Sequence, residues 1–529
     1  MRIPSVTKAL LLICVGALLF RLLLLQFVSF PGIADPNHYY NMGVRLVEGH
    51  GFTIDYIWQY SLPPASIVHP EEHWMPLTAV LAAAPMALFG ESVRSALLPF
   101  VLLGALLPAL AYWGARQLEL SKSAALFSAA ALAVLPEFTL YSLRTDTMIP
   151  SALFTCLSIL LLNCGLQRKW SIATSGADQQ RLRGSDSLIY TASGIAAGLA
   201  YLTRNDGILL LPMLVVTLLV YRVWRKNVPV FPSRAVILMP IIALIVVTPW
   251  LIRNLNEIGM IGSPETSSMF FFTDHNNHYA FGRHFTLETM LAAQTPAQII
   301  GKRLFEMAAA VKVMIQSFDL LLPVAVAGGL LLLIALRDKR RLLTIAPALI
   351  LLLGVFVAYT VFIPYKAQAG SFKKAYLSIL PLLLPLGAYA LERAITDSRI
   401  RFGAMALVVA LAGANAIDTV RLDQQTASNY LAAVEKMATQ ARTLPDTNGD
   451  GEIILMTSDP YIVRFAGLRS IMYPDEDRDT IIEIARRYGV DYLLMPANRP
   501  QFDALINGTE TDPRFVPLDS VPGTPFSFS

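Results

Sequence analysis

The sequence predicts a polytopic α-helical membrane protein of about 11 spans, with a small exoplasmic α/β domain at its C-terminus. Three observations lead there. Of the 529 residues, 55% are hydrophobic and only 15% charged, against roughly 25% charged in an average soluble domain. The apolar residues fall in runs that approach the roughly 20 residues a helix needs to cross a bilayer. Beyond residue 420 these runs stop and the chain becomes polar. The formal net charge of +4 argues for no nucleic-acid partner, because that would require a clustered basic face.

The first apolar run, 8–30, follows Arg2 and Lys8 and lacks a small-x-small cleavage site, so it reads as a retained span. Further spans are expected at 95–115, 122–136, 147–165, 188–203, 207–223, 235–252, 318–336, 342–363, 375–391 and 402–418. The stretch 76–89 is apolar but short, and with Pro76 and Pro85 it reads as re-entrant or interfacial. Charge placement supports this division. With a cytoplasmic N-terminus the inside loops collect Arg116 and Lys122; Arg168, Lys169, Arg181 and Arg183; Arg222, Arg225, Lys226 and Arg234; Arg337, Lys339, Arg340 and Arg341; and Arg393, Arg399 and Arg401. A full span at 76–89 would turn the later clusters outward, against the positive-inside rule. The domains are then a membrane part, 1–420, with a first outside loop at 31–75 and a long outside loop at 253–317, followed by an exoplasmic part, 421–529. In the latter, Ile453 to Met456 reads as a strand, Asp479 to Tyr488 as an amphipathic helix and Asp491 to Met495 as a second strand. Cys14, Cys156 and Cys164 all lie in apolar runs and suggest neither a disulfide framework nor a zinc quartet.

Chemistry is expected outside. All seven histidines fall in outside segments: His38, His50, His69 and His73 in the first loop, and His275, His278 and His284 in the long loop. Histidine is a common acid-base group and metal ligand, although loops collect polar residues in any case. Asp35 stands just beyond the first span, where partial desolvation raises a carboxyl toward the range of a general base; Asp35-Pro36 is equally a helix start. Asp146, in the turn between the third and fourth spans, has the same two readings, helix cap or functional acid. Arg204 and Arg253 lie at outside membrane edges, where a guanidinium offers paired donors to a phosphate or snorkels to the interface. Lys373 and Lys374 form a third cationic edge. His69 and His73 have an i, i+4 spacing that suits a divalent metal on a helix, although Pro70 weakens a helix there. The segment from Asp446 to Gly451 opens like a calcium loop, but Thr457 stands where a bidentate Glu is needed, so a surface turn is favoured.

These residues resemble a family. Asp35 followed by Tyr39-Tyr40 and by Arg45 through Phe52 is similar to the first-loop signature of the GT-C membrane glycosyltransferases. The resemblance is to glycosyltransferase family 39, the protein mannosyltransferase and lipid A aminoarabinose transferase group. Trp74-Met75-Pro76-Leu77 with Leu88-Phe89-Gly90, Thr203 through Gly207, Thr248-Pro249-Trp250 through Arg253-Asn254, and Tyr376 through Pro385 continue it in order, over roughly residues 8–420. The resemblance implies transfer of a hexosyl or pentosyl group from a polyprenyl-phosphate donor to an acceptor hydroxyl of an envelope molecule. The reaction would proceed with inversion, at the outer face of the cytoplasmic (inner) membrane. It implies Asp35 as general base and Asp146 as the second acid, orienting acceptor or metal. The donor phosphate would meet Arg204, Arg253 and Lys374, and the substrate His38, Tyr39, Tyr40 and Trp74. No cofactor is required, with a divalent metal at His69 and His73 as an option. The chain departs from the family in having Asp35-Pro36 where Asp-Glu is frequent, and Lys374-Ala375-Tyr376 where many members have Arg-Tyr. A transporter or flippase of lipid-linked sugar, or a non-catalytic assembly protein, is the alternative. Few charges lie mid-span, and no internal repeat is evident to favour a transporter.

Overall fold

The computed structural model describes residues 5–175, 183–224, 234–317, 321–363, 368–449, 451–494, 502–516 and 518. The chain opens with α1 (Ser5–Leu25), the first-loop helix α2 (Asp35–Val47), a two-stranded antiparallel ribbon of β1 (Thr53–Ile54) and β2 (His69–Pro70), and α3 (Leu77–Phe89). The membrane body continues with α4 (Val93–Gln117), α5 (Lys122–Val134), α6 (Pro136–Tyr141), α7 (Met148–Ser175), α8 (Arg183–Thr203), α9 (Leu210–Trp224) and α10 (Leu238–Glu257). After the long loop, which holds α11 (Leu287–Ala293) and α12 (Pro296–Gln316), come α13 (Leu321–Ala335), α14 (Lys339–Val357), α15 (Lys373–Leu377), α16 (Leu380–Ala394) and α17 (Ser398–Ala441). The C-terminal part adds β3 (Ile454–Thr457), α18 (Pro460–Phe465), β4 (Arg469–Met472), α19 (Arg478–Arg487), β5 (Tyr492–Leu493) and α20 (Asp503–Ile506).

Each expected span overlaps a helix, that at 375–391 two helices, and residues 318–320 of another lie outside the described residues. Among the described residues seven helices are long and apolar enough to cross a membrane; the pair Gly370–Leu377 and Leu380–Ala394, bent by 61°, has the geometry of a broken span or a re-entrant loop. Leu77–Phe89, Lys122–Val134 and Leu322–Ala335 are apolar but shorter. Proline explains one interruption: Leu135 before Pro136 is extended at ψ 130, which ends α5 and starts α6. The chain is a multi-pass membrane protein whose centre is formed by α4, α5, α7 and α16, with every residue from Leu380 to Tyr389 buried. Of the basic inside clusters, Arg181, Arg225 and Lys226 lie outside the described residues.

The change of composition at 421 falls within one helix, since α17 runs unbroken for 44 residues to Ala441. Beyond it, β3 lies between β4 and β5 in a parallel sheet, buried along its whole length, as expected of a strand covered on both faces. The β-α-β unit read from the sequence is present, with β4 and α18 as additional elements; Met495 lies outside the described residues. The sheet is not free-standing. Ile57 of the first loop bridges to Ile471 within β4: the Ile57 amide donates to Ser470 O at 3.3 Å and the Met472 amide to Ile57 O at 2.7 Å. Tyr56, Ile57 and Tyr60 are fully buried in the same apolar cluster as β3, β4 and α19, and the Tyr60 hydroxyl donates to Met472 O. The long loop joins through Gly282 N to Tyr60 O and Asp475 N to Tyr279 O. At Asp446 the carboxylate accepts the amides of Asn448, Gly449 and Gly451, which makes a surface turn; Asp450 lies outside the described residues.

Candidate active site

Asp35 is the first residue of α2. The helix is entered through Ala34 at φ 62, and no side chain caps it, so the Asp35 carboxylate is left to act elsewhere. Asp146 does cap: its Oδ1 accepts the Met148 amide at 3.0 Å. Its second oxygen faces Lys374, so the cap uses one oxygen and leaves the other toward the lysine. Lys374 Nζ donates to Asp35 Oδ2 at 2.8 Å and lies 2.6 Å from Asp146 Oδ2. Asp146 and Lys374 are buried and Asp35 is partly exposed.

The two acidic turns are fastened to each other. The Thr145 amide donates to Pro31 O at 3.3 Å, and the Thr145 hydroxyl to Pro36 O. Gly32, at φ +118, lies between them; a Cβ there would stand 2.7 Å from Pro36 Cβ and 3.4 Å from Arg144 Cγ. This position therefore requires glycine on both steric and backbone grounds.

Arg204 sits beside this pair. Its Nη1 donates to Thr147 Oγ1 at 3.0 Å, one residue from Asp146, while Nε and Nη2 fork onto Asp206 and Nη2 reaches Ser371 O at 3.0 Å. Tyr359, donating to Asp206 Oδ2, completes the mount. Thr147, Asp206, Tyr359 and Ser371 escaped the sequence reading, because nothing in local pattern says which distant hydroxyl or carbonyl a guanidinium will find. Lys373 turns to Glu137 at 2.7 Å and so anchors α15 rather than sharing the site.

The expectation that desolvation raises the Asp35 carboxyl is reversed. Burial does push it up, but the Lys374 ammonium, with further help from Arg204 and His38, holds it below the usual aspartate range. Tyr39, four residues on and hence on the same helix face, is buried; desolvation and the Asp35 carboxylate push its phenol well up, leaving it a neutral hydroxyl. Its ring meets Trp74 edge-on at 5.7 Å, and Trp74 stacks on Trp58 at 5.2 Å.

Other expected contacts are placed differently. His38 is fully buried, with Nδ1 2.6 Å from the Tyr56 hydroxyl and Nε2 3.0 Å from Glu71, so no ring nitrogen is left for substrate. Tyr40 lies on another face of α2 against Phe465 at 5.7 Å. Arg253 donates to the carbonyls of Glu71 and Phe52, the latter at 2.6 Å, and lies over the Trp250 ring. It ties down the first loop and touches neither Asp35, Asp146 nor Lys374. The helical pairing of His69 and His73 does not form. His69 is in β2 with Nδ1 on Ile67 O, whereas His73 faces Ser263 and Glu265, because Pro70 and the ribbon preclude a helix. Among the described residues no group of three or more His, Cys, Asp or Glu is arranged to hold a metal ion.

Three of the histidines, His38, His73 and His278, instead pair with two buried glutamates. Glu71 takes His38 and the amides of His73 and Trp74; burial raises its carboxyl, but His38 and these amides bring it down to about 2. Glu265 accepts Ser61 Oγ at 2.9 Å and lies 2.8 Å from His278 and 3.3 Å from His73, linking the long loop to the first.

The sequence model of the dolichyl-phosphate-mannose-protein mannosyltransferase family matches residues 68–252, from the end of the first loop into α10. No curated protein matches the chain. Among solved structures the chain is similar to apo ArnT from Cupriavidus metallidurans, with a TM-score of 0.61 at 15% identity, covering 99% of this chain and 98% of that one. The same protein bound to undecaprenyl phosphate gives a TM-score of 0.59 at 16% identity, covering 99% and 97%. The apo Archaeoglobus fulgidus oligosaccharyltransferase gives a TM-score of 0.60 at 15% identity, covering 93% of this chain and 69% of that one. The chain has the fold of the GT-C membrane glycosyltransferases, and the resemblance to the family 39 and ArnT group read from its motifs agrees with these likenesses.

Proposed function

We propose, from the premise of the GT-C fold, that this protein transfers a sugar from a polyprenyl-phosphate donor to an acceptor hydroxyl at the outer face of the cytoplasmic membrane, with inversion. One observation carries the reading: acids from two separate outside turns, Asp35 and Asp146, converge on the ammonium of Lys374. The likeness to a protein solved with undecaprenyl phosphate supports the donor class, and the positive-inside rule supports the orientation.

The chemistry follows from the groups present. A sugar on a lipid phosphate already has a good leaving group, so the step needs a base and fixed positive charge. Asp35 takes the acceptor hydroxyl proton as the acceptor oxygen bonds to the anomeric carbon; the bond from that carbon to the phosphate oxygen breaks, and its electron pair leaves with the lipid phosphate. Lys374 donates to Asp35 and forms an ion pair with Asp146, and its ammonium together with the Arg204 guanidinium supplies fixed positive charge that suits the leaving phosphate. Asp146 holds the lysine in place, and Tyr39 and Trp74 form the aromatic wall beside Asp35.

The test is Asp35→Asn in purified protein supplied with polyprenyl-phosphate sugars and an envelope acceptor fraction. Loss of a general base is expected to lower the rate by roughly 10²–10⁴-fold with lipid binding retained. Transfer near the wild-type rate would remove Asp35 from the mechanism.

A further inference from the structure

Two carboxylates from different loops that converge on one point are the usual means of holding a divalent cation. At that point the chain has placed Lys374. We propose that the Lys374 ammonium is a built-in substitute for a divalent metal between Asp35 and Asp146, so that this acidic pair works without a bound metal ion.

Distance, charge and anchoring support this. The nitrogen donates to Asp35 Oδ2 at 2.8 Å, the range of charge-assisted hydrogen bonds, and forms an ion pair with Asp146 Oδ2 at 2.6 Å, so the point between the two carboxylates is taken by the ammonium. Asp35 and Asp146 together carry two negative charges and Lys374 one positive, while Arg204 is matched by Asp206. A divalent ion entering beside the lysine would meet a cation at contact distance, and entering in its place it would have to expel the ammonium. That expulsion is opposed by the backbone. Lys373 is tied to Glu137, the Ser378 hydroxyl donates to Lys374 O at 2.9 Å and is also 3.0 Å from Ser151 Oγ of α7, and Phe372 and Tyr376 on either side are fully buried. The second oxygen of the buried Asp146 lies against the Lys374 ammonium, while its first caps α7.

A tethered ammonium differs from a metal in ways that bear on function. It cannot be chelated away, it carries one charge rather than two, and it stays tethered to the helix that bears it. The inference rests on the proposed reaction only for what the cation does, not for what occupies the site.

Mn²⁺ binding, followed by electron paramagnetic resonance of the free ion, tests it without turnover, so its failure is distinct from failure of the sugar-transfer reading. The wild type and Asp146→Asn are expected to bind Mn²⁺ identically, showing no site that depends on Asp146. Lys374→Met, close in length and uncharged, is expected to gain one saturable Mn²⁺ site, which is lost again in the Lys374→Met, Asp146→Asn double variant. A wild-type Mn²⁺ site abolished by Asp146→Asn would overturn the proposal, as would a folded Lys374→Met protein that gains no site. If Lys374→Met fails to fold, the wild-type and Asp146→Asn pair decides alone.

Discussion

At the residue scale, Glu72 shows how far the first loop has been taken out of water. Burial raises its carboxyl, and the neighbouring Glu71 and Glu265 charges raise it further, to about 8. The unfolded chain ionises this group near 4.5, so the folded state holds a proton that the unfolded state releases. Its contribution to stability is therefore complete below about pH 4.5 and lost as pH rises through about 8. Glu72→Gln, which is neutral throughout, is expected to melt like the wild type at pH 5 and above it at pH 9; a melting difference that does not change with pH would contradict the assignment. Asp35 has the opposite sign: its carboxyl is held down by Lys374, so the charged pair persists above the usual aspartate range and is lost only as pH falls below it. At Gly32, alanine would place a methyl against Pro36 and Arg144. Gly32→Ala is expected to abolish transfer while the protein still inserts and purifies, because it separates the turns carrying the two acids. Wild-type turnover in that variant would show the two turns to be independent.

At the element scale, α2 is held by a helix more than 400 positions along the chain. The Asn41 amide donates to Tyr461 O at 2.9 Å, Arg464 pairs with Asp55 at 2.7 Å, and the Phe465 ring meets Phe30 at 5.1 Å and Tyr40 at 5.7 Å. The Asp146 turn has its own tie, Arg144 to Asp423 on α17. Both acidic turns are thus steadied by the segment leading into and through the C-terminal domain. Truncating a packed phenylalanine removes about 3–5 kcal/mol of stabilisation in a well-packed core. Phe465→Ala is accordingly expected to lower thermal stability and transfer together, and Phe465→Leu to restore much of both; an alanine variant with unchanged melting and rate would show that α18 does not support α2.

At the scale of the whole molecule, the first loop, the long loop and the C-terminal sheet share one apolar cluster. Three of the seven histidines, His38, His73 and His278, serve this assembly as partners of the buried Glu71 and Glu265. Removing residues 442–529 would expose Tyr56, Ile57 and Tyr60, which are fully buried in the intact chain. Limited proteolysis of the truncated protein in detergent is expected to cut first between residues 53 and 70, where the full chain resists; equal resistance would show that the loop folds without the sheet.

The membrane helices were legible because apolar run length is a property of local sequence, and so were Asp35, Asp146, Arg204 and Lys374 as charged groups at helix ends. The β-α-β unit was legible from its periodicity, whereas β4 and α18 became visible only in the structure. Local pattern could not show which of those charged groups meet. Asp35 and Lys374 are 339 positions apart, and Arg253, equally placed at a membrane edge, turned instead to main-chain carbonyls. Nor could it give the direction of the Asp35 shift, since burial and the Lys374 charge act in opposite senses and only their distance decides between them. By itself the sequence determined a membrane-embedded helical chain, because hydropathy acts residue by residue. Only the tertiary structure decided that one lysine lies between two acids, because that depends on how helices distant in sequence pack.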